Sequence, residues 1–418
     1  MTLADTRTDK HLLPVAGRAP LTITSGQGSF VFDAEGRRYL DAITGIGVNA
    51  LGHAHPRIIE VMLDQAQLCL HTSNLFHHPY QGQLAERLCA MSGMERVFFS
   101  SSGTEAVEAA LKAVRAHGGN HKTELVALHN SFHGRTFGSL AITGQPKYRQ
   151  PFEPLSPVVT FVEPNDARGL ERAVNQNTAG IILEPVLGEG GIFPLEPGFL
   201  LAARELATRS GALLVADEIQ CGLGRTGRYF AYQESGIQPD MVVVAKPLGG
   251  GLPLGATLFT ERAAAALPPG SHGSTFGGGP LACRVALEFL SMLDGLLPNI
   301  EERGEQLLEG LRGLSRRHSM IREVRGKGLM IGIQLDRAGG AFVERARDCG
   351  LLINCTHDTI LRLLPPFTLT GVEAAQMIQC IDTSLSDQAM LIGYGNDERG
   401  NNEGRARTRI RRSGGVAV

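Results

Sequence analysis

Short apolar runs recur through the middle of this 418-residue chain, at 97–100, 125–129, 158–162, 180–184, 212–217, 241–245 and 256–260. Helix-like stretches, for example 105–116 and 199–210, lie between several of them. That alternation restricts the chain to a mainly parallel sheet covered by helices. Strands in such a sheet are buried on both faces and read as continuous apolar runs. Ligands of such sheets sit beyond the carboxyl ends of the strands. The expected fold class is α/β, a large domain on a mainly parallel seven-stranded sheet plus a smaller α+β domain.

The flanks support a second unit. "GSFVFDAEGRRYLDAITG" (28–45) reads as a hairpin with its turn near 34–36. After about residue 280 a long helical stretch leads to "VRGKGLMIGIQL" (324–335) and "LLINCTHDTILRLLPPFTLT" (351–370), strands of the smaller unit. The expected boundaries are 1–60 for an N-terminal segment joining the small domain, 61–280 for the large domain and 281–386 for the small one. Residues 387–418 are rich in Gly, Asn and Arg and should form a disordered tail, with a basic cluster at 405–412.

Composition excludes several function classes. Forty basic against 42 acidic residues leave a net charge of −2, so no global field recruits nucleic acid or membrane. No apolar run approaches the roughly 20 residues a bilayer requires, and the N-terminus lacks the apolar core of a secretory signal. Seven cysteines without a CxxC pair suit a reduced, cytoplasmic protein. No metal is expected, because His53/His55 and His77/His78 have no cysteine or carboxylate at ligand spacing.

Three stretches carry chemistry. In "MVVVAKPLGGGLPLGA" (241–256) an apolar strand ends in Lys246, followed by Gly249 to Gly251. Alone, the lysine reads as one snorkelling into water. A dry amine is instead nucleophilic and forms a Schiff base with a carbonyl, and the glycines, which let backbone approach a flat ligand, favour that reading. In "GALLVADEIQCG" Asp217 closes another apolar strand. Its partner is either a protonated pyridine nitrogen or an arginine such as Arg225 or Arg228. In "VFFSSSGTEAVEAALKAV" a strand runs into Ser102, Gly103 and Thr104 and then a helix. Ser102 and Glu105 have capping-box spacing, while the exposed amides also suit a phosphate. "GSTFGGGP" (273–280) offers a second hydroxyl loop around Thr275. "GLGRTG" (222–227) matches a dinucleotide pattern without the helix that such a fingerprint must open. A carbonyl-trapping lysine, a ring-nitrogen acid and a phosphate cradle together describe a pyridoxal 5′-phosphate site.

With these residues assembled, the chain resembles the class III (fold type I) aminotransferases from about residue 20 to 382. The resemblance rests on "SSGTEAVEAALK", "FHGRTFGSLAITGQPKY", "ILEPVLGEGG", "VADEIQCGLGRTGRYFAYQ", "AKPLGGGLPLGA" and "GSTFGGGPLA". Two more blocks, "YLDAITGIGVNALGHAHP" and "LHTSNLFHHPYQGQLAERL", favour the acetylornithine branch. The resemblance implies a transaminase acting on amino-acid and 2-oxo-acid substrates. Lys246 would hold the cofactor and shuttle the proton, Asp217 would pair with the ring nitrogen, and Gln220 would lie near the phenolic oxygen. Phe132 and Ile219 would cover the two ring faces. Ser102, Gly103 and Thr104 would bind the phosphate, and Thr275 would reach the phosphate of a neighbouring subunit in a homodimer. Arg135 and Arg362 would bind substrate carboxylates, with Glu189 pairing Arg362 when the other substrate occupies the site. Ile46 stands where ornithine aminotransferases carry tyrosine, which weakens free ornithine as substrate. Pro247 replaces a usual Ala, Gly279 a usual Asn and Thr104 a common Ala, the last offering an added phosphate donor. Rival substrates within the chemistry are succinylornithine, 4-aminobutyrate, ornithine and a carrier-bound lysine precursor. More distant rivals are a glutamate-1-semialdehyde-type aminomutase and a cofactor-free binding protein.

Overall fold

The computed structural model describes residues 11–386, residue 16 apart; the tail expected at 387–418 lies outside the described residues. Three short strands come first, β1 (Ile23–Gln27), β2 (Phe30–Asp33) and β3 (Arg38–Asp41), each antiparallel to the next. The turn between β2 and β3 closes where the Asp33 carboxylate accepts the amides of Glu35 and Arg37.

The apolar runs then appear as β4 (Arg96–Ser100), β5 (Glu124–Leu128), β6 (Val159–Val162) and β7 (Thr178–Leu183). A two-rung hairpin, β8 (Val186–Leu187) and β9 (Phe193–Pro194), intervenes before β10 (Leu213–Asp217), β11 (Met241–Val244) and β12 (Gly255–Phe259). Seven of these build one sheet in the order β4-β12-β11-β10-β7-β5-β6, each within two residues of its sequence-based limits. All neighbours are parallel except at β12, which runs against both β11 and β4. Residues 245–254, which join β11 to β12, are too few for the dozen or so that a parallel crossover requires.

Strand periodicity assigns the two faces. Leu213 and Val215 of β10 and Met241 and Val243 of β11 pack with Ala106, Val107 and Val114 of helix α1 (Gly103–Gly118). Leu214, Ala216, Val242 and Val244 turn the other way, into the core shared with Phe289, Leu290 and Leu293 of helix α2 (Pro280–Ser315). Full burial of each Leu or Val stabilises the fold by roughly 1.5–3 kcal/mol, so both faces hold the sheet.

Beyond α2 lie β13 (Ile321–Lys327), β14 (Met330–Leu335), β15 (Leu351–Leu352), β16 (Asn354–Thr356) and β17 (Ile360–Leu363). An antiparallel sheet β13-β14-β17-β16 results. β15 instead pairs in parallel with β3, Leu351 opposite Leu40, so N-terminal strands share a sheet with the C-terminal region. Helix α3 (Gly371–Leu385) starts at a capping box in which Thr370 and Glu373 satisfy each other's backbone amides. Among the described residues no helix is long and apolar enough to cross a membrane.

One consequence of the topology matters for chemistry. β10 and β11 are parallel with Asp217 opposite Val243, so Asp217 and Lys246 leave the sheet at the same edge. β4, β5 and β7 end at that edge too, which delivers Ser102, Phe132 and Glu184 to it.

Candidate active site

A cavity of about 500 Å³ opens at this edge. Its walls include Lys246, Asp217, Ser102, Gly103, Thr104, Phe132, Ile219, Gln220, Arg135 and Glu189, ten of the thirteen residues singled out in the sequence.

Lys246 opens a 3₁₀ turn, Lys246–Gly249, directly after β11. Burial pushes its ammonium below the ordinary lysine range, opposed by the Glu189 carboxylate and aided by the Arg362 charge. Pro247 is compatible with that turn, since the first amides of a helical turn have no internal partner anyway. The glycines after it are only partly a ligand surface. Gly250 and Gly251 have φ of +55° and +107°, which favour glycine for the turn itself. A Cβ on Gly250 would lie 2.9 Å from Val285 of α2, and of the three only Gly251 lines the cavity.

Asp217 is 3% exposed, and neither arginine considered for it is its partner. Arg225 donates Nη1 to the carbonyls of Leu329 and Pro365, and Arg228 pairs with Glu301. The partner is His133, whose Nδ1 stands 2.6 Å from Asp217 Oδ2. Burial alone would lower the His133 pKa, but the bond to Asp217 outweighs it and raises it. Asp217 Oδ1 accepts the Ile219 amide at 3.0 Å.

Glu184 was also missed. It follows β7 and accepts the amides of Phe132 at 2.8 Å and Gly188 at 2.9 Å. Burial raises its pKa to about 7, against the pull of His133. The signal that exposed Asp217, an acid closing an apolar strand, was present at Glu184 as well. His133 gave no comparable signal.

Ser102 caps α1, its Oγ accepting the Glu105 amide at 3.3 Å. The expected box is only half formed, because the Glu105 carboxylate takes the Ser101 amide, at 2.6 Å. Gly103 is required by the close approach of Ile219, whose Cδ1 would lie 2.9 Å from an added Cβ. The Thr104 hydroxyl, expected as an added phosphate donor, has protein neighbours. It is shared with Ser139 at 2.7 Å and Thr136 at 3.0 Å. Exposed amides at the start of this 16-residue helix remain the anion-binding feature.

Arg362 is 1% exposed and meets Glu189 through Nη1–Oε1 at 2.5 Å. Its Nε donates to Asn354 at 3.2 Å, and Gln220 accepts a longer bond from Nη1. The Glu189 carboxyl, raised by burial, is carried below its ordinary range by the Arg362 charge. Arg135 is exposed and lines the same cavity as Glu189.

Three predicted residues stand off the cavity wall: Arg362, which reaches it through Glu189, and Thr275 and Ile46. Thr275 is exposed in a neighbouring depression with Ser101, Glu105 and His272. Ile46 is 40% exposed on a turn whose residue 48 does line the cavity. Its φ of +62° is unusual for a β-branched residue. Asp41 anchors this turn by accepting the amides of Ile43 and Thr44, and His53 holds the second carboxylate oxygen at 2.8 Å. Gly279 occupies the N-cap of α2 without a side-chain cap.

These residues fit pyridoxal phosphate. A desolvated amine, a buried acid, an anion-binding helix start and two apolar walls, Phe132 and Ile219, share one cavity. Fold and site thus define an α/β enzyme that works through a lysine-bound aldehyde cofactor.

Comparison with known proteins agrees. The aminotransferase class-III family model matches residues 14–385. Acetylornithine aminotransferase of Methanocaldococcus jannaschii is 42% identical over 384 residues, covering 90% of this chain and 96% of that protein. Among solved structures, ornithine aminotransferase from Toxoplasma gondii superposes with a TM-score of 0.88 at 31% identity, covering 93% of this chain and 94% of its own. An amine transaminase from an uncultivated Pseudomonas species, in its pyridoxal-phosphate-bound form, gives 0.84 at 30% identity, covering 90% and 98%. The chain belongs to the class-III aminotransferase family, whose members are pyridoxal-phosphate-dependent enzymes of fold type I.

Proposed function

We propose that this enzyme moves the δ-amino group of N2-acetyl-L-ornithine to 2-oxoglutarate, giving N-acetyl-L-glutamate 5-semialdehyde and L-glutamate in arginine biosynthesis. The observation that carries the substrate reading is the ion pair of buried Arg362 with Glu189, whose carboxylate lines the cavity that also holds Lys246 and Arg135. Glutamate carries one carboxylate on its reacting carbon and a second at its far end. Acetylornithine reacts at an amine remote from its single carboxylate. A site for both needs one standing cation, Arg135, and a second that a protein carboxylate covers when it is not wanted.

Pyridoxal phosphate, when bound, makes the C–H bond beside the substrate nitrogen acidic. Burial lowers the pKa of Lys246, which suits its Nζ to accept that proton and to return it to the carbon across the nitrogen. Asp217, oriented by His133, holds a negative charge at the floor of the cavity. Ser102, Gly103 and the α1 amides would hold the phosphate, and Gln220 would serve the ring's phenolic oxygen. Phe132 and Ile219 would exclude water from its faces.

The working unit is proposed to be a cytoplasmic homodimer in which Thr275 completes the partner's phosphate site. Leu70, Leu75, Phe76 and Phe276 are exposed around that loop, and Asn74 Nδ2 ties it to the 274 carbonyl at 2.9 Å. Such a patch suits a subunit contact. The seven thiols are free, which suits a reducing compartment. The chain is proposed to divide near residues 60 and 280.

Steady-state kinetics with acetylornithine, succinylornithine, ornithine and 4-aminobutyrate against 2-oxoglutarate tests the substrate. Acetylornithine should have the highest kcat/KM. Equal efficiency on all four would defeat the substrate choice.

A further inference from the structure

Arg135 is an exposed guanidinium that makes no hydrogen bond or ion pair among the described residues. A substrate-binding cation with four rotatable bonds needs something to hold it. Its Cζ lies 4.0 Å from the centroid of the Tyr148 ring and 5.5 Å from that of Phe132. The two rings meet edge to face, 6.0 Å apart at 82°. Tyr148 sits on the short helix Pro146–Arg149, which is anchored through buried Gln145, whose Nε2 donates to the Asn130 carbonyl at 3.2 Å. Lys147 Nζ lies 5.0 Å from the same ring and adds positive charge at the mouth.

We propose that Tyr148 is the positioning residue for the carboxylate clamp: its ring face fixes Arg135 over the cavity while leaving every guanidinium N–H free for substrate. Aromatic faces suit this task. They attract a cation without consuming its donors, whereas a carboxylate would neutralise it and compete with the ligand. The ring also abuts Phe132, so the clamp and the apolar wall of the cofactor site are held as one unit. The proposal rests on the reading of Arg135 as the contact for the acetylornithine carboxylate.

The test compares the wild-type holoenzyme with Tyr148→Leu and Tyr148→Phe on two amines. One is acetylornithine; the other is N-acetyl-1,4-diaminobutane, the same molecule with hydrogen in place of the carboxylate. Tyr148→Leu should raise KM for acetylornithine about fivefold, the size of an exposed cation–π contact. kcat, the cofactor absorption band and the constants for the decarboxylated amine should barely change. Tyr148→Phe keeps the ring face and should restore the acetylornithine KM to within about twofold of wild type. Equal losses on both amines would make Tyr148 merely structural, and Tyr148→Phe behaving like Tyr148→Leu would move the effect to the hydroxyl; either overturns the proposal. A Leu variant that does not fold leaves the Phe variant's prediction standing and decisive. Failure of the wild type to distinguish the two amines would instead refute the Arg135 reading itself, and this proposal with it.

Discussion

Glu189→Gln isolates the gate that the dual-substrate reading requires. The wild-type pair joins a 1%-exposed guanidinium to a carboxylate whose side chain is 23% exposed. Two unit charges about 4 Å apart attract by about 4 kcal/mol at an effective dielectric near 20. Partial exposure of Glu189 and the cost of drying both groups reduce that to about 2 kcal/mol net, roughly thirtyfold in an equilibrium. Glutamate must displace Glu189 to reach Arg362, so the neutral variant should bind it better. Acetylornithine loses instead, because an uncovered Arg362 attracts its carboxylate and turns the reacting amine away from Lys246. The ratio of half-reaction efficiencies, glutamate over acetylornithine, should therefore rise about thirtyfold. Rapid mixing of holoenzyme with each amine alone, followed by cofactor absorbance, measures both halves separately.

The pH dependence sharpens the test. Glu189 is held below the ordinary carboxylate range, so its contribution is complete above that range and is lost only as pH falls through the depressed value. Between about pH 6 and 9 the wild-type ratio and the variant's shift should not depend on the charge of residue 189. Equal changes in both half-reactions, or an unchanged ratio, would refute the gate.

Lys246→Ala should abolish the lysine-linked absorption band and lower the rate of proton transfer by about 10²–10⁴-fold, measured by single-turnover kinetics. Asp217→Asn leaves His133 without a charged partner at a buried site. About 3–5 kcal/mol of stability is typical for breaking such a pair, read as a lower thermal midpoint, and loss of the charge that would pair with the ring nitrogen should lower kcat and weaken retention of cofactor on dialysis. Glu218 bears on stability instead. Burial raises its carboxyl to about 7, and its Oε1 accepts the Tyr232 amide at 2.9 Å. Because the folded value exceeds the unfolded one, the stability it contributes is full below the ordinary carboxylate range and is lost as pH rises through about 7. Glu218→Gln should flatten the fall in thermal midpoint between about pH 5 and 8, read by calorimetry; an unchanged slope would assign the dependence to other groups, Glu184 first among them.

The sheet was legible because each central strand is apolar on both faces, a pattern with few other destinations. Its one reversed strand was not, because the glycines between β11 and β12 suit both a tight return and a ligand loop. Lys246 and Asp217 stood out as ionisable groups ending apolar strands, and the same reasoning applied to β7 would have produced Glu184. His133 was beyond reach: it ends no strand, and its partner is 84 residues away. The protein partners of the Thr104 hydroxyl were out of reach for a related reason, since Thr136 and Ser139 come from a segment that only folding brings alongside α1. Residues whose role depends on their own strand end could be found from sequence; those whose role depends on a neighbour from another βα unit could not.

That distinction bears on how the two arginines achieve different selectivity. Arg362 is buried on β17 and carries a protein carboxylate, so approach to it requires a ligand able to displace a charge. Arg135 is exposed and rests on aromatic rings, so approach to it displaces no protein anion. A carboxylate common to every substrate should therefore engage Arg135 at little cost. One present only in glutamate and 2-oxoglutarate should engage Arg362 and provide the free energy that moves Glu189 aside. Exchange of the two environments, an acid beside Arg135 and a neutral partner beside Arg362, would be expected to invert which substrate the resting site prefers, although both cations would remain in place.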